Sequence, residues 1–486
     1  MKNSLLAIAL VLFTLAACEA VNGVDQSFVQ EQAGRGDAGA DATAPPPGGN
    51  MFDSRPLGDR HVDFPRLRAK LVAERPAVTA RQLALLNARY DLSDRRSTRC
   101  RTSRGRPVQA GVRARVPMGV TFQDLAGMTP EQVRARDAFP QGFLPLPHPN
   151  HPEGGMLFPQ PQIDEVRRQT GRDLARFDLG FDLPQHLLPD FPPAIYLTTR
   201  PDLGDVSRAQ LVTTDNYYDL FKDILNPKQL DGLRLLLTPF AQQQFNLIDD
   251  RRSERPQLGV ACLDCHANGH TNAATHLAGD VRPQAFRNRI DTPSLRGVNI
   301  QRHFGSQRAL RSVEDFTEFE QRAAYFDGDP VSAMLKGINF LDRGTQVQNM
   351  AEFQEIMDFP PTPHLNPVTR RLDPLAATPA ELRGQEVFFG RGQCASCHQP
   401  PFYTDLQMHT LAVERFFAPR TINGAFTSPD GLIKTFPLRG LRDSPPYLHD
   451  GRLLTLEDTV EFFNLVLQTR LTEQEKSDLV DFLCAL

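Results

Sequence analysis

The sequence predicts a mainly α-helical fold, with two tandem domains in its second half and a long, loop-rich N-terminal extension before them. A Cys-x-x-Cys-His motif occurs twice in that second half, once in each predicted domain. Apolar residues recur there at helical spacing, and no apolar–polar alternation of any length indicates strands. Helix should therefore dominate both domains.

The two motifs predict covalent attachment of two c-type haems, because this spacing lets both thiols bond one porphyrin while the adjacent histidine ligates its iron. They read Cys262-Leu-Asp-Cys265-His266 and Cys394-Ala-Ser-Cys397-His398. The four cysteines are therefore cofactor-binding residues, and the two histidines are the proximal iron ligands. A zinc site built from both cysteine pairs is the alternative, but it leaves both histidines without a role.

The N-terminus predicts export. Composition is ordinary for a soluble chain, with 40% hydrophobic and 23% charged residues, and the formal charge of −4 gives no attraction to nucleic acid. Lys2 and the apolar run from Leu5 to Leu15 form a secretory signal that is too short to span a bilayer. The lipobox pattern ending at Cys18 predicts a lipid anchor, with ordinary cleavage as the alternative. We expect a location in the periplasm or cell envelope, and Glu19 favours the outer membrane.

Two cysteines remain after the motifs and the anchor, namely Cys100 and Cys484. An oxidising compartment would permit a disulfide between them, and two unpaired thiols are the alternative. The stretch Glu19–Asn50 is rich in Ala, Gly, Asp and Pro and lacks apolar periodicity, so it predicts a disordered tether.

The N-terminal extension carries two unusual segments. Residues 95–115 are dense in arginine, which predicts a solvated loop, or alternatively a docking patch for an acidic redox partner or anionic lipid. Residues 139–161 are rich in proline, which excludes a regular helix or a central strand. We interpret His148 and His151, within this segment, as surface histidines rather than metal ligands.

Helix signals are clearest near the C-terminus. Thr455 and Asp458 form a capping-box-like start for a helix through Leu465, and Thr472 repeats the signal for a final apolar-faced helix. Helical periodicity also occurs within Asn216–Phe245.

Further segments after each motif carry a family resemblance. They are Asp291-Thr-Pro-Ser-Leu-Arg-Gly-Val298, then Phe436-Pro-Leu-Arg-Gly-Leu-Arg-Asp-Ser-Pro-Pro-Tyr-Leu-His-Asp-Gly-Arg452, and then the segment Thr455–Phe463. With the motifs, they resemble the bacterial di-haem cytochrome c peroxidases and MauG-like enzymes, from about residue 250 to the end. The resemblance implies two cytochrome c-like domains, an N-terminal haem where peroxide reacts and a C-terminal haem that relays electrons. A calcium ion between the domains is a further feature of many relatives.

The resemblance also implies roles for residues outside the motifs. His276 lies nearest the position of the displaceable distal ligand of the first haem, with His270 as the second choice. Glu352, with Glu355 nearby, lies where relatives carry the acidic residue that moves the peroxide proton. We therefore expect His276 and Glu352 to be catalytic.

The chain departs from the family at two positions that bear on electron transfer. Tyr325-Phe326-Asp327-Gly328 matches a segment in which relatives place a tryptophan between the haems, and this chain has no Trp. Tyr325 or direct tunnelling would then have to carry the electrons. Phe463, which cannot bind iron, stands where relatives ligate the second haem.

Three residues are candidates to replace the missing ligand of the second haem. They are His449, His409 and Met408. We expect His449, because it alone lies within a segment that the family resemblance covers.

These observations predict a lipid-anchored enzyme that reduces hydrogen peroxide to water with electrons from a small cytochrome c or cupredoxin. A non-catalytic electron carrier of the envelope is one alternative, and a MauG-like or oxygenase-type oxidoreductase is another. The predicted organisation is a signal peptide at 1–17, a tether at 18–50, an extension of unassigned role at 51–230, a first (peroxidatic) haem domain at 231–375 and a second (electron-transfer) haem domain at 376–486.

Overall fold

The computed structural model describes residues 64–151, 156–172, 174, 183–239, 261–276, 289–306, 310–326, 343–427 and 430–486. The predicted signal peptide, Cys18 and the tether lie outside these ranges. Among the described helices, none combines the length and the apolar character that a membrane span requires.

Helices dominate the described chain, as predicted, and the strands are short and antiparallel. The helices are α1 (Phe64–Arg89), α2 (Phe122–Gly127), α3 (Pro130–Ala135), α4 (Gln160–Thr170), α5 (Tyr217–Phe221), α6 (Pro227–Leu237), α7 (Cys262–Cys265), α8 (Val313–Phe326), α9 (Gln348–Gln354), α10 (Pro379–Phe389), α11 (Leu456–Val466) and α12 (Glu473–Ala485). The strands are β1 (Arg96–Arg101), β2 (Pro107–Gln109), β3 (Met156–Leu157), β4 (Tyr196–Leu197), β5 (Thr275–His276), β6 (Ile290–Asp291), β7 (Met357–Asp358), β8 (Met408–Thr410), β9 (Thr421–Ile422), β10 (Ala425–Phe426) and β11 (Leu432–Lys434). Strands β3, β5 and β6 form one sheet with β5 in the middle, and the others pair as β1–β2, β4–β7, β8–β11 and β9–β10.

The predicted helix starts near the C-terminus are confirmed. The Thr455 side chain accepts the N–H of Asp458 and begins α11, and Thr472 begins α12 with a full capping box. The periodic stretch after Asn216 is two helices rather than one, because Asn226 caps a new helix whose first residue is Pro227.

Each attachment motif packs beside a pair of helices that cross at a glycine. The first motif contacts α6, where a Cβ on Gly232 would lie 1.9 Å from the main-chain oxygen of Asn349 on α9. The second contacts α10, where a Cβ on Gly384 would lie 1.9 Å from the main-chain oxygen of Asp478 on α12. A side chain at either glycine would push the helices apart, so these crossings fix the backbone around both motifs.

The extension and the second motif share one hydrophobic core. Leu86, Tyr90 and Phe143 of the extension cluster with Phe462 and Phe482 of the last two helices. The described residues accordingly form one compact unit. The domain boundaries at residues 231 and 376 therefore remain a prediction.

A disulfide between Cys100 and Cys484 joins β1 to α12. The disulfide that the sequence analysis gave as one of two alternatives for these cysteines is thus confirmed. It closes a loop across 384 residues of sequence, so it covalently ties the start of the extension to the last helix.

The expectation of a surface position for His148 is wrong, while that of a solvated arginine-rich segment holds for most of its arginines, which are exposed. His148 is fully buried rather than on the surface, because the proline-rich segment covers the core and Leu146 donates its N–H to Asp450 Oδ2 at 2.9 Å. Arg113 is also buried, and its guanidinium donates to main-chain oxygens that include that of Ala110 at 3.0 Å. The arginine-rich segment is thus partly structural, and its strand β1 was not predicted.

Opening the disulfide should destabilise the fold. Exchange of Cys100 or Cys484 for Ala frees the longest loop of the unfolded chain, so we expect the free energy of unfolding to fall by about 2–5 kcal/mol in denaturant titrations. Either single exchange should match the double one, since both open the same bridge. An unchanged unfolding midpoint in all three variants would count against the bond.

Candidate functional site

The first attachment motif forms the short helix α7, and a buried carboxylate fixes its start. Asp264 Oδ2 accepts the N–H of Ala261 at 2.8 Å, and the same carboxylate pairs with Arg172 of the extension. The N–H of His266 then bonds the Cys262 carbonyl at 3.0 Å. This turn carries both thiols and the histidine in one rigid segment.

A main-chain carbonyl orients the first histidine. His266 Nδ1 lies 2.8 Å from the carbonyl oxygen of Pro293, so Nδ1–H is the donor and Nε2 keeps its lone pair. Burial lowers the pKa of His266 to about 4 and outweighs that hydrogen bond, which raises it. The imidazole is therefore neutral at ordinary pH, which is the form that binds iron.

The second motif repeats this arrangement with different surroundings. Cys394–Ser396 form a single 3₁₀ turn, and the N–H of His398 bonds the Cys394 carbonyl at 3.0 Å. His398 Nδ1 lies 2.8 Å from the carbonyl oxygen of Tyr403, and burial again lowers the histidine pKa. Both motifs thus present a thiol pair beside a neutral imidazole whose tautomer is fixed.

A cavity of about 330 Å³ lies at the second motif. Cys394, Cys397 and His398 line one side, and the lining is mostly apolar, with residues such as Leu411 and Leu479. An apolar cavity beside two thiols and an oriented imidazole fits a covalently bound porphyrin.

The geometry does not fit the zinc alternative. Among the described residues, the potential metal ligands that come together are Cys397, Asp405 and His409, so no cluster joins both cysteine pairs. Burial also raises the pKa of Cys394 to about 12, whereas zinc requires thiolates.

One short segment links the two haem sites. Pro293, whose carbonyl accepts the hydrogen bond of His266, also lines the cavity at His398 together with Thr292 and Ser294. The proximal ligand of one site therefore touches the wall of the other. No sequence pattern predicts this contact, because every residue has a main-chain carbonyl oxygen, whatever its side chain.

The structure distinguishes the candidates for the second ligand of the second haem. His449 and His409 both line the cavity, and so does Phe463. Met408 precedes His409 on β8, where successive side chains face opposite sides. One ring nitrogen of each histidine faces a carboxylate, since His409 Nε2 is 2.7 Å from Asp405 Oδ2 and His449 Nε2 is 3.6 Å from Asp430 Oδ1. His449 is the more deeply buried of the two, and its Nδ1 has no hydrogen-bond partner among the described residues. This geometry favours His449, whose ligand role stays a prediction.

The first-site histidines also differ. His276 lies on the central strand β5, half-buried between β3 and β6, and its assignment as a distal ligand stays a prediction. His270 engages both ring nitrogens, since Nδ1 lies 2.7 Å from Ser294 Oγ and Nε2 lies 3.0 Å from the Asp443 carbonyl oxygen. His270 is therefore a structural link rather than a spare ligand.

Glu352 lies on α9, with its carboxylate 4.0 Å from the ammonium of Lys228 on α6. Partial burial and the carboxylates of Glu314 and Glu352 raise the pKa of neighbouring Glu355. The structure thus places both glutamates in one acidic group, while their catalytic role stays a prediction. The side chains of Tyr325 and Phe326 lie outside the described residues, as do Asp327 and Gly328.

A buried ion pair holds the linking segment in place, and no sequence pattern predicted it. Arg296 Nη1 lies 2.9 Å from Asp443 Oδ2, and both side chains are almost fully buried. Ser103 of the extension donates its N–H and its hydroxyl to the Asp443 carboxylate, both at 2.7 Å. Arg296 also donates to the carbonyl of Ala194 at 2.7 Å. Three parts of the chain thereby meet beside Ser294.

Comparisons with known proteins find similarity to cytochrome-c peroxidases and to MauG. The chain is 31% identical over 159 residues to cytochrome-c peroxidase IdrP2 of Denitromonas iodatirespirans, which is 25% of this chain and 43% of that protein. It is 31% identical over 119 residues to the methylamine utilization protein MauG of Methylorubrum extorquens, which is 21% of this chain and 33% of that protein. The chain thus spans less than half the length of these curated relatives, and no family model matches it.

Two solved structures overlap with it at low similarity. Hydrazine synthase of Kuenenia stuttgartiensis gives a TM-score of 0.37 at 20% identity, covering 57% of this chain and 94% of that one. A MauG-like protein associated with microbial copper homeostasis gives a TM-score of 0.36 at 18% identity, covering 63% of this chain and 94% of that one.

Loss of either cysteine pair should remove one covalent haem. We expect the protein with Cys394 and Cys397 exchanged for Ala to retain the mass of a single haem on denaturing mass spectrometry, because each pair holds its own porphyrin. Exchange of the disulfide cysteines Cys100 and Cys484 should leave two haem masses. Two haem masses in the first variant would refute the assignment.

Proposed function

Because the chain belongs to the di-haem cytochrome c peroxidase and MauG family, we propose that it is an exported peroxidase that reduces hydrogen peroxide to two water molecules. The reaction consumes two electrons and two protons, and a small redox protein such as a cytochrome c or cupredoxin is the proposed donor. The observation that carries the proposal is that both histidines, His266 and His398, are oriented by main-chain carbonyls. The carbonyl that orients His266 belongs to Pro293, which also lines the cavity at His398.

The two sites have separate tasks in this proposal. When bound at Cys262 and Cys265, haem supplies the redox chemistry that cleaves the O–O bond. His266 would supply Nε2 as the iron ligand, because its Nδ1–H is donated to Pro293 and burial keeps the imidazole neutral. That hydrogen bond raises the electron density on the imidazole, which strengthens it as a ligand.

Electrons enter at the second motif and reach the first site without a tryptophan. Gln393 and Ser396 are exposed around Cys394, so a donor can approach this edge of the protein. On the inner side, Pro293 lines the cavity and accepts the hydrogen bond of His266. The proposed path from the second cavity to His266 runs through the Pro293 carbonyl and one hydrogen bond. Because this path is short, it supports direct electron tunnelling rather than hopping through Tyr325.

The acidic group on α9 is the proposed proton source. Oxygen–oxygen cleavage requires a proton on the departing oxygen, and an acid with a raised pKa keeps that proton near neutral pH. We assign the proton transfer to Glu352, which lies where relatives carry the acidic residue, with Glu355 as the neighbour whose pKa is raised. The carboxylates of Glu314 and Glu355 lie near enough to interact, and that repulsion favours a protonated member.

The proposed setting is the cell envelope. Covalent c-type haem and the Cys100–Cys484 disulfide both suit an oxidising compartment. Attachment through lipidated Cys18 is part of this proposal, and it would hold the enzyme at a membrane surface.

Removal of the proton donor should slow turnover without removing haem. For Glu352→Gln we expect the rate of peroxide reduction to fall about 10²- to 10⁴-fold at unchanged Soret absorbance. Glu74→Gln is the control, because it removes an exposed carboxylate of α1 that has no assigned role. Equal rates in the Glu352 variant and the unaltered protein would exclude this glutamate.

The distal assignment of His276 has a spectroscopic test. His276→Gly should convert the first haem from low spin to high spin in the electron paramagnetic resonance spectrum, because its sixth ligand is lost. An unchanged spectrum removes His276 from the site. Two permanently low-spin haems without peroxide turnover in the unaltered protein would instead indicate an electron carrier.

A further inference from the structure

Strand β11 ends with a lysine inside the second haem cavity. The Lys434 side chain is only 4% exposed, and it lines the cavity together with Cys397 and His398. Its N–H bonds the carbonyl of Ser306 at 2.9 Å, so the strand is anchored to the other haem-bearing segment.

The ammonium group has polar and aromatic contacts but no anionic one. It donates to Gln301 Oε1 and lies 5.4 Å from the centre of the Phe304 ring and 4.9 Å from that of Phe436. No carboxylate of the described residues forms an ion pair with it, and burial alone lowers the pKa of Lys434 to about 7. A buried charge without a counter-ion costs several kcal/mol, so such a group calls for an anion.

The other cations of the cavity wall already have partners. Arg296 forms the buried ion pair with Asp443 at 2.9 Å. Arg439 donates to the main-chain oxygen of Leu486 at 3.1 Å and to Thr362 Oγ1 at 2.9 Å. Arg439 thus meets neutral acceptors, as Lys434 does, but Arg439 is only half-buried, whereas Lys434 is almost fully buried.

We propose that Lys434 is the counter-ion of a propionate group of the haem attached at Cys394 and Cys397. A haem is a flat, largely apolar ring that carries two carboxylates, and those carboxylates must be solvated or paired when the ring is buried. Lys434 offers a charge-assisted hydrogen bond within the cavity. Gln301 and Phe304 contact the amine and hold it in place. The inference rests on the haem site alone and not on the peroxidase reaction.

Such a pairing has an electrostatic consequence for the second haem. Reduction adds one negative charge to the iron, and a nearby cation in a low-dielectric site stabilises the reduced form. Lys434 would thus raise the reduction potential of the haem that receives electrons from the donor.

Potentiometry on the purified di-haem protein tests this directly. Lys434→Met keeps the length of the side chain and removes the charge, so the equilibrium constant for reduction of the second haem should fall about tenfold, which is about 59 mV for a one-electron couple. Lys434→Arg keeps the charge and should stay within about threefold of the unaltered protein. Lys222→Met is the control for loss of one exposed lysine, and we expect no change.

Resonance Raman spectra of the same proteins report the contact itself. The propionate bending band of one haem should shift in Lys434→Met and stay in place in Lys434→Arg. An unshifted band together with an unchanged potential would overturn the proposal. So would a change of the second haem from low to high spin in Lys434→Met, because the amine would then be an iron ligand. If the Met variant does not fold, Lys434→Gln serves for the same two measurements.

Discussion

The hydrogen bond from each proximal histidine to a main-chain carbonyl is the constraint on which the haem sites depend. A histidine in a Cys-x-x-Cys-His motif can point Nε2 toward iron only when Nδ1–H has another acceptor. Pro293 and Tyr403 provide that acceptor, both at 2.8 Å. The loops that carry these carbonyls must therefore be held as firmly as the motifs. This need explains why irregular segments around them are buried and densely hydrogen-bonded.

The N-terminal extension contributes to that support. Ser103 and Ala194 from the extension bond the Asp443–Arg296 pair, which stands beside the loop of Pro293. Arg172, also from the extension, pairs with Asp264 within the first motif. The long segment that precedes the haem-bearing half thus supports residues next to both sites. Its removal would leave Asp443 and Asp264 as buried charges with fewer partners, which is costly.

The sequence predicts those features that depend on side chains close together along the chain. The attachment motifs and the caps at Thr455 and Thr472 belong to this class, and each forms in the structure. The prediction fails where a polar residue is buried by partners far away in sequence. His148 and Arg113 are examples, because both are buried and the main-chain N–H of Arg113 bonds Asp458, which lies 345 residues away in the sequence. The carbonyls of Pro293 and Tyr403 that accept the histidine hydrogen bonds could not be predicted either, because every residue has a main-chain carbonyl.

The absence of tryptophan has a simple physical reading in this architecture. Electrons need a side chain as a relay only when no short path of covalent and hydrogen bonds connects the two haem sites. Here the residue that bonds His266 also forms part of the cavity beside His398. Electron coupling through such a route depends on main-chain atoms, whose positions are fixed by the Arg296–Asp443 pair and by His270 rather than by one oxidisable ring. A chain built in this way is free to lose the aromatic relay, because the distance between the sites is set by the backbone.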